Sequence, residues 1–257
     1  MIYIESKDNS IFKGTRKLKE RKNRTKENKY IIEGFRIVEE ALKAGASLDS
    51  VFFNKQSEEK ALNLLEKYSF SKRSFGLNDE LFSEISDTTN SQGIIAVVNM
   101  EKEKTKDFKE FYILCDKVQD PGNLGTIIRT AHAAGCDGVI LTKGTVDIYN
   151  EKVIRSTMGS IFYLPIIFDD DLNILKALKE DGFKILATSL EGKCDFFKED
   201  LKGKVVVTVG NEGNGVSKEV YDLSDSKVKI PMPGNAESLN VAVATSIVLY
   251  ERVRQKS

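Results

Sequence analysis

The sequence predicts an α/β protein with a parallel sheet covered by helices on both faces, preceded by a smaller α/β domain. In the second half, nearly continuous apolar runs alternate with helical stretches, as in buried parallel strands joined by helices. Residues 101–107 form a charged run without an apolar residue, and the length of 257 residues leaves room for two domains. We therefore predict a domain over 1–100, a linker over 101–107 and a second domain over 108–257.

In the first half, apolar residues at 35, 37, 38, 41 and 42 predict a helix within Tyr30–Gly45, with Gly45 at its end. Leu48–Asn54 has the composition of a strand, Glu58–Lys67 that of a second helix, and Gly93–Met100 that of a buried strand.

The second half contains more such elements. Strands are predicted over Phe111–Asp116, Gly138–Leu141, Phe183–Ala187, Val205–Val209 and Lys227–Ile230, and helices over 123–134, 150–157, 172–181, 217–222 and 238–253. The last helix is apolar on every side, which predicts that it is buried.

The charge of the chain is zero overall but uneven along it. Residues 1–30 hold ten basic and four acidic residues, an excess of six positive charges. Such an end suits a polyanion such as RNA, and on charge alone it equally suits a solvated, partly frayed terminus.

Composition also narrows the class of protein. No apolar run is long enough to span a membrane, and the start lacks the pattern of a secretory signal, which predicts a cytoplasmic protein. Cys115, Cys136 and Cys194 are odd in number and widely spaced, so neither a disulfide framework nor a zinc site is indicated. His132 is the single histidine, which excludes a multi-histidine metal site.

Three stretches follow predicted strands at their carboxyl ends, where open α/β sheets bind ligands. They are Asp120-Pro-Gly-Asn-Leu-Gly-Thr-Ile-Ile-Arg-Thr-Ala131, Gly210-Asn-Glu-Gly-Asn-Gly215, and the loop over 230–240.

The first stretch combines a turn with a charged helix. Pro121 and Gly122 predict the turn, and Asn123 is either the cap of the following helix or a functional group. Arg129 interrupts an apolar helix with a charge that would need a partner if buried. A phosphate is a suitable partner, because a guanidinium can bind it through two hydrogen bonds.

The other two stretches are glycine-rich or proline-rich loops. Gly210 and Gly215 have the outer spacing of a P-loop, but Val216 and Ser217 stand where lysine and a hydroxyl residue are required. Nor is the acidic residue of a dinucleotide site present about twenty residues later, so nucleotide hydrolysis and dehydrogenase activity are disfavoured. In the third stretch, prolines and Gly234 hold the backbone open, so that its main chain can bind a ligand.

Together the three stretches resemble the ordered motifs of the SpoU/TrmH group of RNA ribose 2′-O-methyltransferases, which use S-adenosylmethionine. The third motif here is Ile230-Pro-Met-Pro-Gly-Asn-Ala-Glu-Ser-Leu-Asn-Val-Ala-Val-Ala244. The match covers roughly 110–257, while Glu33, Gly34 and the following helix more loosely resemble the family's RNA substrate-binding domain. Pro233 departs from the small residue often found there.

The resemblance implies a deep trefoil knot formed by the C-terminal segment, a homodimer with a shared active site, and S-adenosylmethionine bound in the knot. It implies catalytic roles for Arg129, Asn123, Glu212, Ser238 and Asn240. It also implies cofactor contacts at Gly210, Ile230, Met232 and Leu239. Ribosomal RNA is favoured over transfer RNA as substrate because a separate N-terminal domain is present. The alternative is a catalytically silent RNA-binding or ribosome-assembly protein with the same fold.

Overall fold

The computed structural model describes residues 2–88, 90–100, 108–192, 194–234 and 236–257. The chain divides into two compact units, the first comprising Met1–Lys102 and Tyr149–Phe162, the second Glu103–Ile148 and Tyr163–Ser257. The segment Tyr149–Phe162 was expected in the second domain, but Ile154 is buried in the apolar core of the first unit, next to partly buried Tyr149 and Phe162. The predicted linker over 101–107 lies outside the described residues.

The described part of the chain contains both kinds of predicted element. The strands are β1 (Ile2–Ile4), β2 (Lys29–Glu33), β3 (Leu48–Asn54), β4 (Arg73–Leu77), β5 (Ile94–Asn99), β6 (Phe111–Cys115), β7 (Gly138–Thr142), β8 (Ile166–Asp169), β9 (Lys184–Thr188), β10 (Cys194–Asp195), β11 (Val205–Val209) and β12 (Ser226–Lys229). The helices are α1 (Ser10–Lys17), α2 (Arg21–Glu27), α3 (Phe35–Lys43), α4 (Glu58–Lys67), α5 (Asp79–Ile85), α6 (Pro121–Ala133), α7 (Glu151–Thr157), α8 (Asn173–Glu180), α9 (Lys218–Leu223) and α10 (Val241–Lys256).

The first unit contains a mixed five-stranded sheet in the order β1-β4-β3-β5-β2. Strand β5 runs antiparallel to β2 and β3, whereas β4 runs parallel to β1 and β3. The helix predicted within Tyr30–Gly45 begins only at Phe35, since residues 29–33 pair with β5 and Gly34, at a φ of 110°, separates the strand from α3.

The basic N-terminal run is ordered in helices α1 and α2. Asn9 caps α1 by accepting hydrogen bonds from the N–H groups of Ile11 and Phe12 at 2.9 and 3.2 Å. Phe12 and Leu18 are buried in the core of the first unit. The alternative of a frayed terminus is therefore wrong, because two apolar anchors hold the basic residues in place.

The second unit contains a parallel seven-stranded sheet in the order β10-β12-β9-β11-β6-β7-β8. The five predicted strands are confirmed to within one residue at most ends, while β8 and β10 were not predicted because they are short and partly polar. Strands β6, β11, β9 and β12 are consecutive neighbours, so the stretches that follow β6, β11 and β12 meet at one edge of the sheet.

Helix α10, the last helix of the chain, packs against strand β11 of this sheet and against helix α6. Thr245, Val248 and Leu249 are buried, but Val243 and Tyr250 are 49% and 52% exposed. The prediction that this helix is buried on all sides is therefore wrong for the single chain, which leaves an apolar stripe uncovered. None of the helices in the described part of the chain combines the length and apolar composition that crossing a membrane requires.

Candidate functional site

A cavity of about 520 Å³ lies in the second unit, between the loops that follow β9, β11 and β12. Seven of the nine predicted site residues line it: Gly210, Glu212, Ile230, Met232, Ser238, Leu239 and Asn240. Asn123 is hydrogen-bonded to two of these residues, whereas Arg129 does not line the cavity.

The first stretch is helical from Pro121, so the predicted turn at Pro121 and Gly122 is the first turn of α6. The capping residue is Asp120, whose carboxylate accepts the N–H of Asn123 at 2.7 Å. Proline is well suited to the first helical position because its missing N–H has no partner there. Since Asp120 caps the helix, the side chain of Asn123 is available for other contacts, and the capping role considered for Asn123 is wrong.

Glu212 connects the second stretch to the first. Its carboxylate accepts the main-chain N–H groups of Gln119 and Asp120 at 3.2 and 3.1 Å, and the side-chain amide of Asn123 at 3.0 Å. Burial raises the pKa of Glu212, but the hydrogen bonds from Asn123 and from neighbouring backbone N–H groups outweigh it and lower the pKa below its usual value of 4.5. Glu212 is therefore ionised at neutral pH and connects the second stretch to the first through these hydrogen bonds.

Asn240 connects the third stretch to the same group. Its side-chain amide donates to Asn123 Oδ1 at 2.9 Å, while its own oxygen accepts the N–H groups of Ala242 and Val243 at the start of α10. Asn240, Asn123 and Glu212 thus form a continuous hydrogen-bonded chain. All three predicted motifs are joined by it.

The second stretch is a tight loop fixed by its own side chains. Asn211 and Gly215 exchange two backbone hydrogen bonds of 2.9 Å, and Asn211 Oδ1 accepts the N–H groups of Gly213 and Asn214 at 3.0 Å. A Cβ atom on Gly210 would lie 2.1 Å from the carbonyl carbon of Gly215, so only glycine fits there. The Asn211 amide also donates to the carbonyl of Lys117 at 3.0 Å, which ties the loop to the end of β6.

The third loop leaves its main chain uncommitted. Among its described residues from Pro231 to Leu239, no main-chain N–H or carbonyl is hydrogen-bonded to another described residue. The loop lines the cavity with Met232, Glu237, Ser238 and Leu239. Backbone groups in this state can bind a polar ligand, as predicted from the prolines and Gly234.

Arg129 lies on the exposed face of α6. It makes no ion pair or hydrogen bond with any residue in the described ranges, and neither Glu212 nor Asn123 is bonded to it. Although Leu124 and Ile128 of the same helix are buried, Arg129 itself is exposed, so its charge needs no partner within the chain. Arg129 is an exposed cation whose guanidinium can bind an external anion.

The cavity residues that were not predicted include Thr188, Leu190, Tyr221 and Glu237. Tyr221 donates to the carbonyl of Thr188 at 3.1 Å, and its ring lies 4.1 Å from the Lys227 ammonium nitrogen. Thr188 is the last residue of β9 and Leu190 lies in the loop after it. The rule that located the other loops would have included both if β9 had been placed between β11 and β12. Sequence order alone does not reveal that placement.

Comparison with known proteins identifies the class. Residues 110–250 match the model of the SpoU rRNA Methylase family, and residues 9–96 match the MRM3-like substrate binding domain. The chain belongs to the SpoU rRNA methylase family, which confirms the resemblance drawn from the three motifs.

Individual relatives are similar over nearly the whole chain. The 23S rRNA (guanosine(2553)-2′-O)-methyltransferase RlmP of Bacillus subtilis is 38% identical, over 97% of this chain and 98% of that protein. The 23S rRNA (uridine(2479)-2′-O)-methyltransferase of Streptomyces viridochromogenes is 31% identical, over 92% of this chain and 86% of that protein.

Solved structures agree with these relatives. The rRNA methyltransferase of Sinorhizobium meliloti with bound AdoMet superposes with a TM-score of 0.86 at 31% identity, covering 98% of this chain and 97% of that one. The SpoU methyltransferase AviRb of Streptomyces viridochromogenes in complex with AdoMet gives a TM-score of 0.88 at 30% identity, covering 96% and 98% of the two chains.

Proposed function

We propose that this protein is an RNA methyltransferase that transfers the methyl group of S-adenosylmethionine to a ribose 2′-hydroxyl of ribosomal RNA. The observation that carries the proposal is the hydrogen-bonded chain Asn240–Asn123–Glu212, which joins the three family motifs around one cavity. Relatives named as 23S rRNA 2′-O-methyltransferases align over nearly the full length of this chain, so ribosomal RNA is favoured over transfer RNA.

The cavity fits S-adenosylmethionine in size and chemistry. Its volume of about 520 Å³ lies within the roughly 300–1,000 Å³ usual for small-molecule sites. Gly210, Ile230 and Leu239 would hold the cofactor through their main chains, and Met232 would contact its apolar parts. When bound, the cofactor supplies a methyl group activated by the positively charged sulfur. The absence of a Cβ atom on Gly210 lets the backbone of Gly215 approach it closely, which shapes the loop that lines the cavity.

The acceptor hydroxyl must lose a proton, and Arg129 is the residue proposed to assist this step. A guanidinium pKa above about 12 makes it a poor base at neutral pH. Arg129 would instead bind the adjacent phosphate and stabilise the negative charge that develops on the 2′-oxygen. Its exposure on α6 and its lack of an ionic partner among the described residues leave it available for this contact.

The remaining catalytic residues would position groups. Glu212 holds the loop before α6, Asn123 connects it to Asn240, and Ser238 lines the cavity with an exposed hydroxyl. Orientation of the ribose and the cofactor would supply much of the rate enhancement.

The first unit would bind the RNA substrate. Residues 9–96 match a substrate binding domain, and helices α1 and α2 carry much of the N-terminal excess of positive charge. Basic residues on an ordered surface favour a polyanion.

The protein would act as a homodimer. Val243 and Tyr250 form an exposed apolar stripe on α10, beside α6 which carries Arg129. A second copy would cover this stripe through a two-fold interface, so that the active site would be completed by both subunits.

The C-terminal segment would form a trefoil knot. Strand β12 pairs with β9, yet α10 packs against α6 and β11, so the chain crosses back over the sheet edge after β12. Pulling the chain from both ends tests this arrangement, since a knotted chain extends less than an unknotted chain of the same length.

An rRNA substrate and free Cys115, Cys136 and Cys194 are consistent with a cytoplasmic location.

Transfer of tritium from labelled cofactor to an unmodified 23S rRNA transcript tests the function. We expect incorporation into one ribose, located by mapping the alkali-resistant linkage that 2′-O-methylation creates. A protein that binds the cofactor and the transcript but incorporates no label into any ribosomal RNA would instead support the silent RNA-binding alternative.

A further inference from the structure

The first unit contains a cleft of about 310 Å³ that none of the three motifs contributes to. It lies between the start of α3, the loop preceding β5, and the end of α7. The residues that bear on its chemistry are Arg36, Thr88, Asn90, Gln92, Arg155 and Met158. Helix α7 belongs to this unit structurally, but it lies outside residues 9–96 that match the substrate binding domain.

The walls of the cleft are fixed by internal hydrogen bonds. Glu33 accepts the hydroxyls of Ser86 and Thr88 at 2.6 Å and the N–H of Asp87 at 2.9 Å. Gln92 Oε1 accepts the N–H of Phe35, the first residue of α3, at 2.9 Å. The carboxylate of Glu33 is therefore occupied by hydrogen bonds within the wall. Burial raises the pKa of Glu33, but these hydrogen bonds outweigh it and lower the pKa overall.

Two arginines line the cleft without forming an ion pair with any described residue. Arg36 and Arg155 are exposed, and neither forms an ion pair with any residue that the structure describes. By contrast, Arg16 and Arg73 in the same unit are paired with Glu84 and Asp49. Two guanidinium groups at one cleft can bind a phosphate through planar hydrogen bonds.

An exposed apolar group lies beside these cations. Met158 is 39% exposed and adopts a left-handed conformation at a φ of 51°, which is uncommon for a bulky residue. Gly159 follows at a φ of 91°, where a Cβ atom would lie 2.9 Å from that of Glu40. This sharp end of α7 places Met158 at the cleft, with buried Ile37 also in the lining.

We propose that this cleft binds one unstacked nucleotide of the RNA substrate. Arg36 and Arg155 bind its phosphate, the side-chain amides of Asn90 and Gln92 contact the edge of the base, and Met158 packs against its face. Single-stranded RNA is read in this way by proteins, through splayed bases and their hydrogen-bonding edges. A volume of about 310 Å³, at the lower end of the roughly 300–1,000 Å³ of small-ligand sites, suits one nucleotide.

The inference rests on the proposed function and specifies where its RNA is bound. The substrate-binding unit is completed by α7, which the chain supplies after it has already formed β6 and β7 of the other unit. RNA recognition therefore depends on Arg155 and Met158, outside the N-terminal hundred residues.

Binding of an unmodified 23S rRNA transcript to the full-length protein tests the cleft. Arg36→Gln and Arg155→Gln should each weaken binding about three- to tenfold and reduce the slope of log affinity against log salt by about 0.7–1. Lys55→Gln is the matched control, since Lys55 is an exposed cation of the same unit away from the cleft. The control should change neither quantity.

Kinetics separate a binding role from a structural one. In both arginine variants KM for RNA should rise while kcat at saturating RNA and the affinity for S-adenosylhomocysteine stay within about twofold. Photo-crosslinking of a 4-thiouridine-substituted transcript should label the peptide that contains Met158, and Met158→Ala should reduce that label.

Wild-type affinity and salt slope in both arginine variants would overturn the proposal, as would an equal loss in Lys55→Gln. Binding of the cleft to an acidic peptide with no effect of the arginine variants on RNA would also reject it. Cleft variants that lose RNA binding in a protein that methylates no ribosomal RNA would leave this inference standing and reject the proposed function.

Discussion

Asn123 shows how a single residue acquires its role from its neighbours. Sequence preference makes asparagine at a helix start a cap, but Asp120 occupies that position and accepts the Asn123 N–H. The freed Asn123 side chain donates to Glu212 and accepts from Asn240, two residues that lie 89 and 117 positions away along the chain. The roles of Glu212 and Arg129 can be tested by substitution.

Arg129→Lys should be nearly as inactive as Arg129→Ala, with cofactor affinity close to normal in both. Lysine keeps the charge but lacks the planar group that could hold a phosphate and the attacking oxygen together. We expect single-turnover rates at saturating RNA to fall about a hundredfold to a thousandfold, roughly 2.7–4 kcal/mol. Arg254→Lys, which can keep its ion pair with Glu251, is the control. If Arg129→Lys kept more than about half the wild-type rate, Arg129 would contribute only a positive charge and not a catalytic contact.

Glu212→Gln should weaken S-adenosylhomocysteine binding about three- to tenfold, because one acceptor oxygen becomes an amide that faces N–H donors. Calorimetry measures the change, with exposed Glu191→Gln as control. Unchanged affinity in Glu212→Gln would show that the hydrogen bonds of Glu212 do not support the cofactor site.

Titration of Glu212 should not affect wild-type cofactor binding near neutral pH. The pKa of Glu212 is lowered in the folded protein, so its contribution is present above the ordinary value of 4.5 and is lost as pH falls through the lowered pKa. Calorimetry from about pH 8 to about pH 5.5 should therefore show no loss attributable to this group. If the Glu212→Gln variant removed a pH dependence near neutrality, the assigned direction of the pKa would be wrong.

At the scale of elements, α10 shows that apolar composition and burial in one chain are separate properties. Its inner face is buried against its own unit, whereas Val243 and Tyr250 remain half exposed. A single chain cannot cover both sides of a helix that lies at its surface. The uncovered stripe is the surface that we propose a second copy covers.

Tyr250→Asp should convert the proposed dimer to a monomer at micromolar concentration, because a charge would replace an aromatic ring in the interface. Light scattering measures the mass, and Phe197→Asp is the control, since Phe197 is an exposed aromatic residue outside α10. Methyl transfer should fall together with dimerisation. Full activity in a monomeric variant would reject the shared active site.

At the scale of the whole molecule, the path of the chain limits how it can be divided. The charged run over 101–107 predicted a second domain made only of residues 108–257, but Tyr149–Phe162 belongs to the first unit. Ile154, with 2% exposure, shares an apolar core with Tyr30 and Ile37, which would be lost if the N-terminal part were removed. Burying an isoleucine contributes about 1.5–3 kcal/mol, so this loss is substantial.

Deletion of 1–105 should therefore give an unstable protein, whereas the same deletion with 149–162 replaced by a glycine-serine segment of equal length should fold and bind S-adenosylhomocysteine. Thermal denaturation and calorimetry on both proteins measure this. Methylation of 23S rRNA should be lost in both. Equal stability of the two deletions would show that the segment does not depend on the first unit.

The sequence by itself determined the α/β class, the five principal strands of the second unit and the family, because each rests on local signals. Continuous apolar runs define buried strands, and the glycines, prolines and polar residues of the three motifs are contiguous in the chain. Seven of the nine predicted site residues accordingly line the cavity.

Only the tertiary structure decided which residues meet across long separations. The order β12-β9-β11-β6 brought Thr188 and Tyr221 to the cavity, and the return of the chain through α7 brought Arg155 to the cleft with Arg36. The antiparallel pairing of β2 with β5 likewise decided that residues 29–33 form a strand, so that the helix predicted within Tyr30–Gly45 begins only at Phe35. These outcomes depend on strand order and burial between distant segments, which local propensity and spacing do not encode.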